Sequence, residues 1–550
     1  MNYLKKTWFL FSKENKIKAV CLYFLIIFNV LLEILSIGSI VPILIFFLED
    51  NLFEKYKIIS EIFIFLNLQY SKESFFTLIL LSISSLFVVK TATITLQVYL
   101  ESNLSWQVHH EIRQKLFKTY ILNDITFHND KHSSTIINNL TKETSFLFHA
   151  VSNLINLFSQ GTLSILICLT LFLYKPFEFF FIFSLILIIL VFYNLLTSKS
   201  LKTSSNLRQD YEENLLKKIL NGLGGIREIK VFNLERKFLK TFDAVAIKLF
   251  GISKKLQILV SLPRIILELM IVLAILVILY FFVDVNLDTN LILTTAGVFT
   301  VASIKLLPSM SKIYQSIQSL KINAPSVKVI YSDITKYSNE SSKLKKKISL
   351  NFKFNDSLEI NNLNFSYNSS NLIFKDVNLK INKLDLIGIK GESGLGKSTL
   401  IDLILGLKQP QSGEIIVDNK NINLDINSWQ NKISYVPQEI FVMDDTIRNN
   451  IAFDFDNQSI DMKKFYDVCR ASEIYDVFSK LPEKFDTSIG ERGSRISIGQ
   501  KQRIGLARAL YKKPDLLLLD EFTSSLDKET KNKILNTIIK INNNTTIIIV

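Results

Sequence analysis

"DLIGIKGESGLGKSTLIDLILGL", Asp385–Leu407, decides how the carboxyl half of the chain folds. Leu386–Lys390 is an apolar, strand-like run, Gly391–Gly396 a glycine loop, and Lys397–Leu407 a helix by composition and spacing. Strand, glycine loop and helix in that order are the setting in which a phosphate-binding loop works. Residues without a Cβ let backbone N–H groups curl round an anion, and the helix that follows points its N-terminus at it. The pattern assigns Gly391, Ser393, Gly394, Gly396 and Thr399 to nucleotide binding, Lys397 to the β- and γ-phosphates, and Ser398 to phosphate and a Mg²⁺ ion.

The surrounding sequence agrees. "PDLLLLDEFTSSLD", Pro514–Asp527, reads as a buried strand, Leu516–Leu519, ending in two carboxylates. After a phosphate loop, Asp520 suits the Mg²⁺ shell and Glu521 suits a base that polarises attacking water. A paired acid at a strand end can also be a plain helix cap, but its place downstream of the loop favours the nucleotide role. Upstream, Leu358–Ile381 alternates as antiparallel strands do.

The amino-terminal half is different. The chain has 550 residues, 48% of them hydrophobic, with a mean hydropathy of +0.27, too long and too apolar for one soluble domain. Long uncharged runs crowd its first 310 or so residues. A helix needs about 20 apolar residues to cross a bilayer, and six stretches qualify: Ala19–Phe47, Phe75–Leu100, Leu154–Tyr174, Phe177–Leu196, Leu256–Val283 and Leu291–Leu307. Lys175–Pro176 marks a tight turn between the third and fourth, and Asp284–Asn290 another between the fifth and sixth. The gaps Ser102–Asn153 and Thr197–Lys255 keep helical spacing, so the helices are expected to extend beyond the membrane. The second gap holds thirteen Lys/Arg against six Asp/Glu, which places both long loops and both termini in the cytoplasm. The outer loop Glu49–Ser74 suits a short interfacial helix or, equally, a packed loop helix. Tyr337–Lys347, "YSNESSKLKKK", reads as a polar linker. The division expected is a membrane domain over 1–336, a linker over 337–347 and a nucleotide-binding domain over 348–550.

The net charge of +14 fits cytoplasmic loops better than nucleic-acid binding, for which no basic-aromatic recognition motif is present. Cys21, Cys168 and Cys469 lie too far apart in sequence for a metal or disulfide framework and read as packing thiols.

Taken together these motifs resemble the half-size ABC exporters. The resemblance implies an all-α transmembrane domain of six helices followed by an α/β P-loop ABC ATPase domain, and hydrolysis of ATP with Mg²⁺ coupled to transport. Tyr367 matches the aromatic that stacks on adenine; "VPQ", Val436–Gln438, matches the Q-loop, which brings Gln438 to the metal and the attacking water. "TSIGERG", Thr487–Gly493, resembles the exporter loop that meets the coupling helices, and "NGLGGIREIKVFNLERKF", Asn221–Phe238, resembles the second intracellular loop that carries one. "ISIGQ", Ile496–Gln500, matches the signature motif through Ser497, Gly499 and Gln500, and Asp527 matches the D-loop. Ile498 stands where the family has glycine, while the hydroxyl and helix N–H groups remain. In this family the signature caps the ATP held by the other subunit, so a homodimer with two composite sites is implied. The family's switch histidine follows a strand like "TTIIIV", which ends this sequence at Val550, so a truncated carboxyl terminus is expected.

A charge at mid-membrane costs about 2.5–3.5 kcal/mol on insertion scales, so each one needs a reason. By helical rise Lys90, Lys305 and Arg264 lie roughly 22, 21 and 28 Å below the outer ends of their spans, in the inner half. Three cations on three spans suit an anionic headgroup such as a pyrophosphate. Against this, Arg264 can pair with Glu268, Lys90 and Lys305 can snorkel to the interface, and Glu33 is a further intramembrane charge. "LPRIILE", Leu262–Glu268, with "KLLPS", Lys305–Ser309, resembles lipid-linked oligosaccharide flippases of the PglK type. That likeness implies an anionic polyprenyl-pyrophosphate glycan as cargo, membrane lipid as partner, and a bacterial inner-membrane location. Export of a peptide, toxin or lipid A-like lipid is the alternative cargo. An ATP-gated channel or regulator is the alternative class.

Overall fold

The computed structural model describes residues 2–39, 72–284, 289–344, 352–367, 372–392, 394–454, 460–522 and 527–550. Two compact units result: Met1–Asn123 with His128–Ser341, and Asp124–Phe127 with Ser342–Val550.

The first unit is helical. A short amphipathic helix, Asn2–Leu10, precedes six long ones among the described residues: α1 (Lys13–Gly38), α2 (Lys72–Ile121), α3 (Thr144–Tyr174), α4 (Pro176–Gly224), α5 (Glu235–Asp284) and α6 (Thr289–Leu344). At 50 residues, α2 is about 75 Å long, against a hydrocarbon core of about 30 Å. α2 therefore runs on past its apolar stretch to Ile121 and α4 to Gly224, as the spacing predicted, and the polar gaps are then broken into short helices such as Ile125–Asp130, Ser133–Asn138 and Ile226–Val231. Lys13–Ser36, Phe76–Ile121, Ser133–Tyr174 and Ile186–Gly224 are long and apolar enough to cross a membrane. The expected fifth and sixth spans fall inside α5 and α6, where many side chains lie outside the described residues.

Lys175 ends α3 with φ −145° and ψ 87°, and Pro176 opens α4 at the first helical position, where its fixed φ helps and its missing N–H costs nothing. Pro263 and Pro308 sit inside the unbroken helices α5 and α6. The α1 helix lies against α2 and α3, and α4 packs along α5. Leu104, Val108, Ile112, Leu116 and Tyr120 recur every four residues along α2 and are all at most 3% exposed. This single stripe anchors the membrane-distal part of the bundle, each side chain contributing about 1.5–3 kcal/mol. Elsewhere large apolar side chains such as Leu81, Leu173 and Leu195 face outward, as lipid-facing positions require.

One expectation changes here. The segment Tyr337–Leu344, read as linker, is the last two turns of α6, and residues 345–347 lie outside the described residues. The proposed interfacial helix in Glu49–Ser74 also lies outside them up to residue 71, and α2 begins at Lys72. The turn at Asp284–Asn290 is outside them over residues 285–288.

Among the described residues the second unit holds two sheets. β1 (Ser357–Ser366) pairs antiparallel with β2 (Leu372–Asn382) and with β4 (Ser412–Val417), which pairs with β5 (Lys420–Asn421). β3 (Leu386–Gly388), β8 (Thr546–Ile549), β7 (Leu516–Leu519) and β6 (Ile433–Val436) form a parallel sheet in the order β3-β8-β7-β6. All four leucines of β7 are fully buried, as an uninterrupted apolar run in a covered parallel strand should be. The site lies at the carboxyl ends of these strands, where open parallel sheets bind ligands. The helices α7 (Lys397–Ile404), α8 (Ile498–Tyr511) and α9 (Lys528–Ile541) carry the remaining candidate residues.

Candidate nucleotide site and buried membrane charges

The loop after β3 turns into α7 through two left-handed glycines, Gly394 and Gly396, both at φ +89°. At Gly396 a Cβ would stand 2.6 Å from Ile373 Cγ2 and 3.1 Å from Phe374 Cζ, so glycine is needed for space as well as for φ. Gly391 opens the loop; Ser393 lies outside the described residues. Lys397 Nζ donates to the Gly391 carbonyl at 2.5 Å and to that of Glu392 at 3.5 Å, which holds the ammonium over the loop it follows.

Two carboxylates close the other side, in opposite environments. Asp520 is 6% exposed. Its Oδ2 accepts from Tyr435 Oη at 3.3 Å and from Ser398 Oγ at 3.4 Å. Burial pushes the Asp520 carboxyl above the ordinary carboxylate range; Tyr435 and Ser398 oppose this, and the charge of Glu521 adds to it. Burial and the neighbouring Asp520 likewise push the Tyr435 phenol up. A hydroxyl and a buried carboxylate on one spot are hard oxygen donors, which suits Mg²⁺. Glu521 is exposed instead, and its Oε2 accepts from Gln438 Nε2 at 2.6 Å. Its backbone is left-handed at φ +45°, pinned by the Glu521 N–H donating to Val550 O at 3.1 Å. A non-glycine residue held there stores strain of about 1–3 kcal/mol, a pattern that clusters at functional sites.

Tyr367 is 58% exposed, and its hydroxyl is 3.0 Å from Thr399 Oγ1 of α7. Ser497 caps α8: its Oγ accepts from the Gln500 N–H at 3.2 Å, while the Ser497 N–H donates to Gln500 Oε1 at 2.8 Å. This capping box satisfies both ends of the turn, and Ile498 projects from it, 66% exposed. Gly499 follows in the first turn. Asp527 caps α9 by accepting from the Thr530 N–H at 2.9 Å. Farther along α8, a Cβ on Gly505 would stand 2.5 Å from Ile440 Cδ1. Arg508 is pushed down to about 10 by burial and donates to the carbonyls of Phe441 and Asn450 at 2.9 and 2.8 Å. The segment after Gln438 is thus fastened to α8.

In the membrane unit the three expected cations part company. Glu33 and Lys90 are each 7% exposed. Glu33 Oε2 receives Lys90 Nζ at 2.6 Å and Oε1 receives Lys305 Nζ at 2.8 Å, while Lys90 also donates to Ser36 Oγ at 2.9 Å. Lys90 and Lys305 are thus both paired with Glu33, an ion pair that neither of the sequence alternatives named. The triad still carries one surplus positive charge, and Lys305 keeps 44% of its side chain exposed. Arg264 is exposed and, among the described residues, makes no ion pair with Glu268. The sequence reading did not find Tyr435, nor Lys408, whose ammonium donates to Tyr367 Oη. Both are ordinary residues in no motif.

Residues 374–524 match the family model described as ABC transporter, and residues 20–304 match that described as ABC transporter transmembrane region. A protein of Rickettsia bellii named for an export ATP-binding and permease role is 30% identical over 485 residues, covering 84% of this chain and 78% of its own. The heterocyst differentiation ATP-binding protein HepA of Nostoc is 36% identical over 193 residues, 35% of this chain and 32% of its own. The solved structure of a bacterial Atm1-family ABC exporter with ATP bound superposes with a TM-score of 0.74 at 18% identity, over 98% of this chain and 90% of that one.

Proposed function

The chain belongs to the ABC transporter family, and on that premise we propose that this ATP-driven exporter works as a homodimer that moves an anionic lipid-linked oligosaccharide to the outer leaflet. It is an integral membrane protein whose ATPase unit couples hydrolysis to export. Six spans in an inner membrane, with both termini cytoplasmic, complete the reading.

In this reading Gly391, Gly394 and Gly396 lend backbone N–H groups to the phosphates, and Lys397 moves from the Gly391 carbonyl to the β- and γ-oxygens. Ser398 and Asp520 would hold Mg²⁺, with Gln438 near it; the cation would offset charge developing on the transferred phosphoryl group. Glu521 takes a proton from the attacking water, and Gln438 orients it through the 2.6 Å bond to the same carboxylate. The single observation that carries the enzymatic part is this division of labour, with one carboxylate buried against Ser398 and its sequence neighbour open and paired to Gln438. Ser497, Gly499 and Gln500 at the tip of α8 present hydroxyl and N–H donors to the γ-phosphate held by the other copy, with Asp527 beside the junction. A disulfide formed between S398C of one copy and S497C of the other under ATP, and not without it, is the expected result. Cross-links confined to single chains would overturn the dimer site.

For the cargo, the support is the surplus positive charge of the Glu33–Lys90–Lys305 cluster together with exposed Arg264. A pyrophosphate headgroup would satisfy both through charge-assisted bonds. In proteoliposomes, ATP should drive translocation of a polyprenyl-pyrophosphate glycan, and Lys90, Arg264 and Lys305 changed together to alanine should abolish it. Translocation at the unmodified rate by that triple variant would remove the anion site from the proposal.

A further inference from the structure

Resting on the reading of Tyr367 as the residue that stacks on the nucleotide base, the arrangement beneath its ring leads further. An exposed tyrosine on a loop edge ordinarily samples several rotamers, and a ring in motion is a poor stacking platform, because ordering it costs entropy on every binding event. Here the hydroxyl is held from two directions. Thr399 Oγ1 lies 3.0 Å away, and Lys408 Nζ donates to it at 2.5 Å. The same ammonium lies 4.4 Å from the centroid of the ring, within cation–π range. Phe365 meets the ring edge-on at 5.3 Å.

Lys408 is itself an unusual lysine, 8% exposed. Buried lysines are rare unless paired, and this one is paired at 2.8 Å with Asp402, on α7. Burial opposes charge on Lys408, but Asp402 and Tyr367 more than offset it and hold the ammonium above its ordinary value. Both anchors of the tyrosine hydroxyl therefore trace back to α7, Thr399 directly and Asp402 through the lysine. That helix also carries Lys397 and Ser398 at its start.

We propose that Lys408, clamped by Asp402, is a positioning residue for the nucleotide base: through the Tyr367 hydroxyl it sets the stacking ring in place and joins the base subsite rigidly to the phosphate-binding helix. The preordered ring then accepts adenine without first losing rotamer freedom. Its loss should appear in affinity for the base-bearing ligand and leave affinity for the phosphate chain alone untouched.

The experiment compares K408M, K408R, Y367F and Y367A in the full-length protein, reading ATP and inorganic tripolyphosphate affinity by titration and KM and kcat for ATP. K408M and Y367F should weaken ATP binding about three- to tenfold, about 0.7–1.4 kcal/mol in binding free energy, with KM rising far more than kcat falls. Tripolyphosphate affinity should stay at the wild-type value, and K408R should recover most of the ATP affinity. Y367A should weaken ATP more than either. If Y367A leaves ATP affinity unchanged, the stacking role itself fails. If Y367A weakens ATP but K408M and Y367F bind it as wild type does, stacking stands and the anchoring proposal is overturned. Equal losses for ATP and tripolyphosphate in K408M would also overturn it, since they would report damage to the phosphate helix instead.

Discussion

The two units bury charge in contrasting ways. In the ATPase unit the backbone of the candidate site is shaped by local devices, two left-handed glycines, a capping box between Ser497 and Gln500 and an Asp527 cap, while Asp520 and Glu521 take their partners Ser398, Tyr435 and Gln438 from far off in the chain. In the membrane unit one buried carboxylate is satisfied at long range, with Glu33 of α1 gripping Lys90 of α2 and the half-exposed Lys305 of α6. Local devices hold a site in shape whatever distant helices do. A cross-helix ion triad changes whenever its helices move, so its energy depends on conformation. A transporter needs both properties, a rigid chemical site and a bundle whose contacts can be exchanged.

The contrast can be broken most severely at Glu33. Glu33→Ala strands Lys90 in a buried site and should destabilise the membrane unit by about 3–5 kcal/mol, read as a large fall in Tm of the detergent-purified protein. Lys305→Ala, which removes the half-exposed partner, should cost at most about 1 kcal/mol. An E33L/K90M double variant should recover most of the loss. If E33A and K305A prove equally mild, the triad is no structural tie. Next in size is Glu521→Gln, which should lower ATP turnover at least about a hundredfold, within the range for loss of a general base, while nucleotide still binds. Unchanged turnover would remove Glu521 from the base role.

Gly396→Ala tests the local side of the comparison. With φ +89° and Ile373 in the way, it should cost about 1–3 kcal/mol and depress ATP affinity. Ser497→Ala should be the mildest, about 1 kcal/mol for a lost cap, visible as a small Tm shift of the ATPase unit with ATP turnover reduced. A Ser497→Ala protein of undiminished turnover would mean that the capping box alone, and not the hydroxyl's reach toward phosphate, accounts for the residue.

What could be read from the chain follows the same division. Asp385–Leu407 declared its strand, loop and helix because glycine geometry is local, and Leu516–Glu521 did so because an apolar run ending in two acids is contiguous. The continuation of α2 and α4 past their apolar runs, and the break at Lys175–Pro176, were legible from periodicity and from proline's missing donor. Glu33 was visible as a charge out of place, but 57 residues separate it from Lys90, and helical periodicity says nothing about which helix stands next to which. Tyr435 escaped notice because a tyrosine in a strand looks like ordinary core until Asp520, 85 residues away, arrives beside it. Tyr337–Leu344 was read as linker because its residues lack an apolar stripe, yet a helix already running through α6 needs none to continue for two more turns.

The fastening of Ile440 and Phe441 to α8 has a mechanical consequence. With no slack at Gly505 and two carbonyls bolted by Arg508, the chain just past Gln438 and the rod that ends at Ser497 behave as one lever. A displacement of the Gln438 segment would therefore be carried along α8 toward its Ser497 tip.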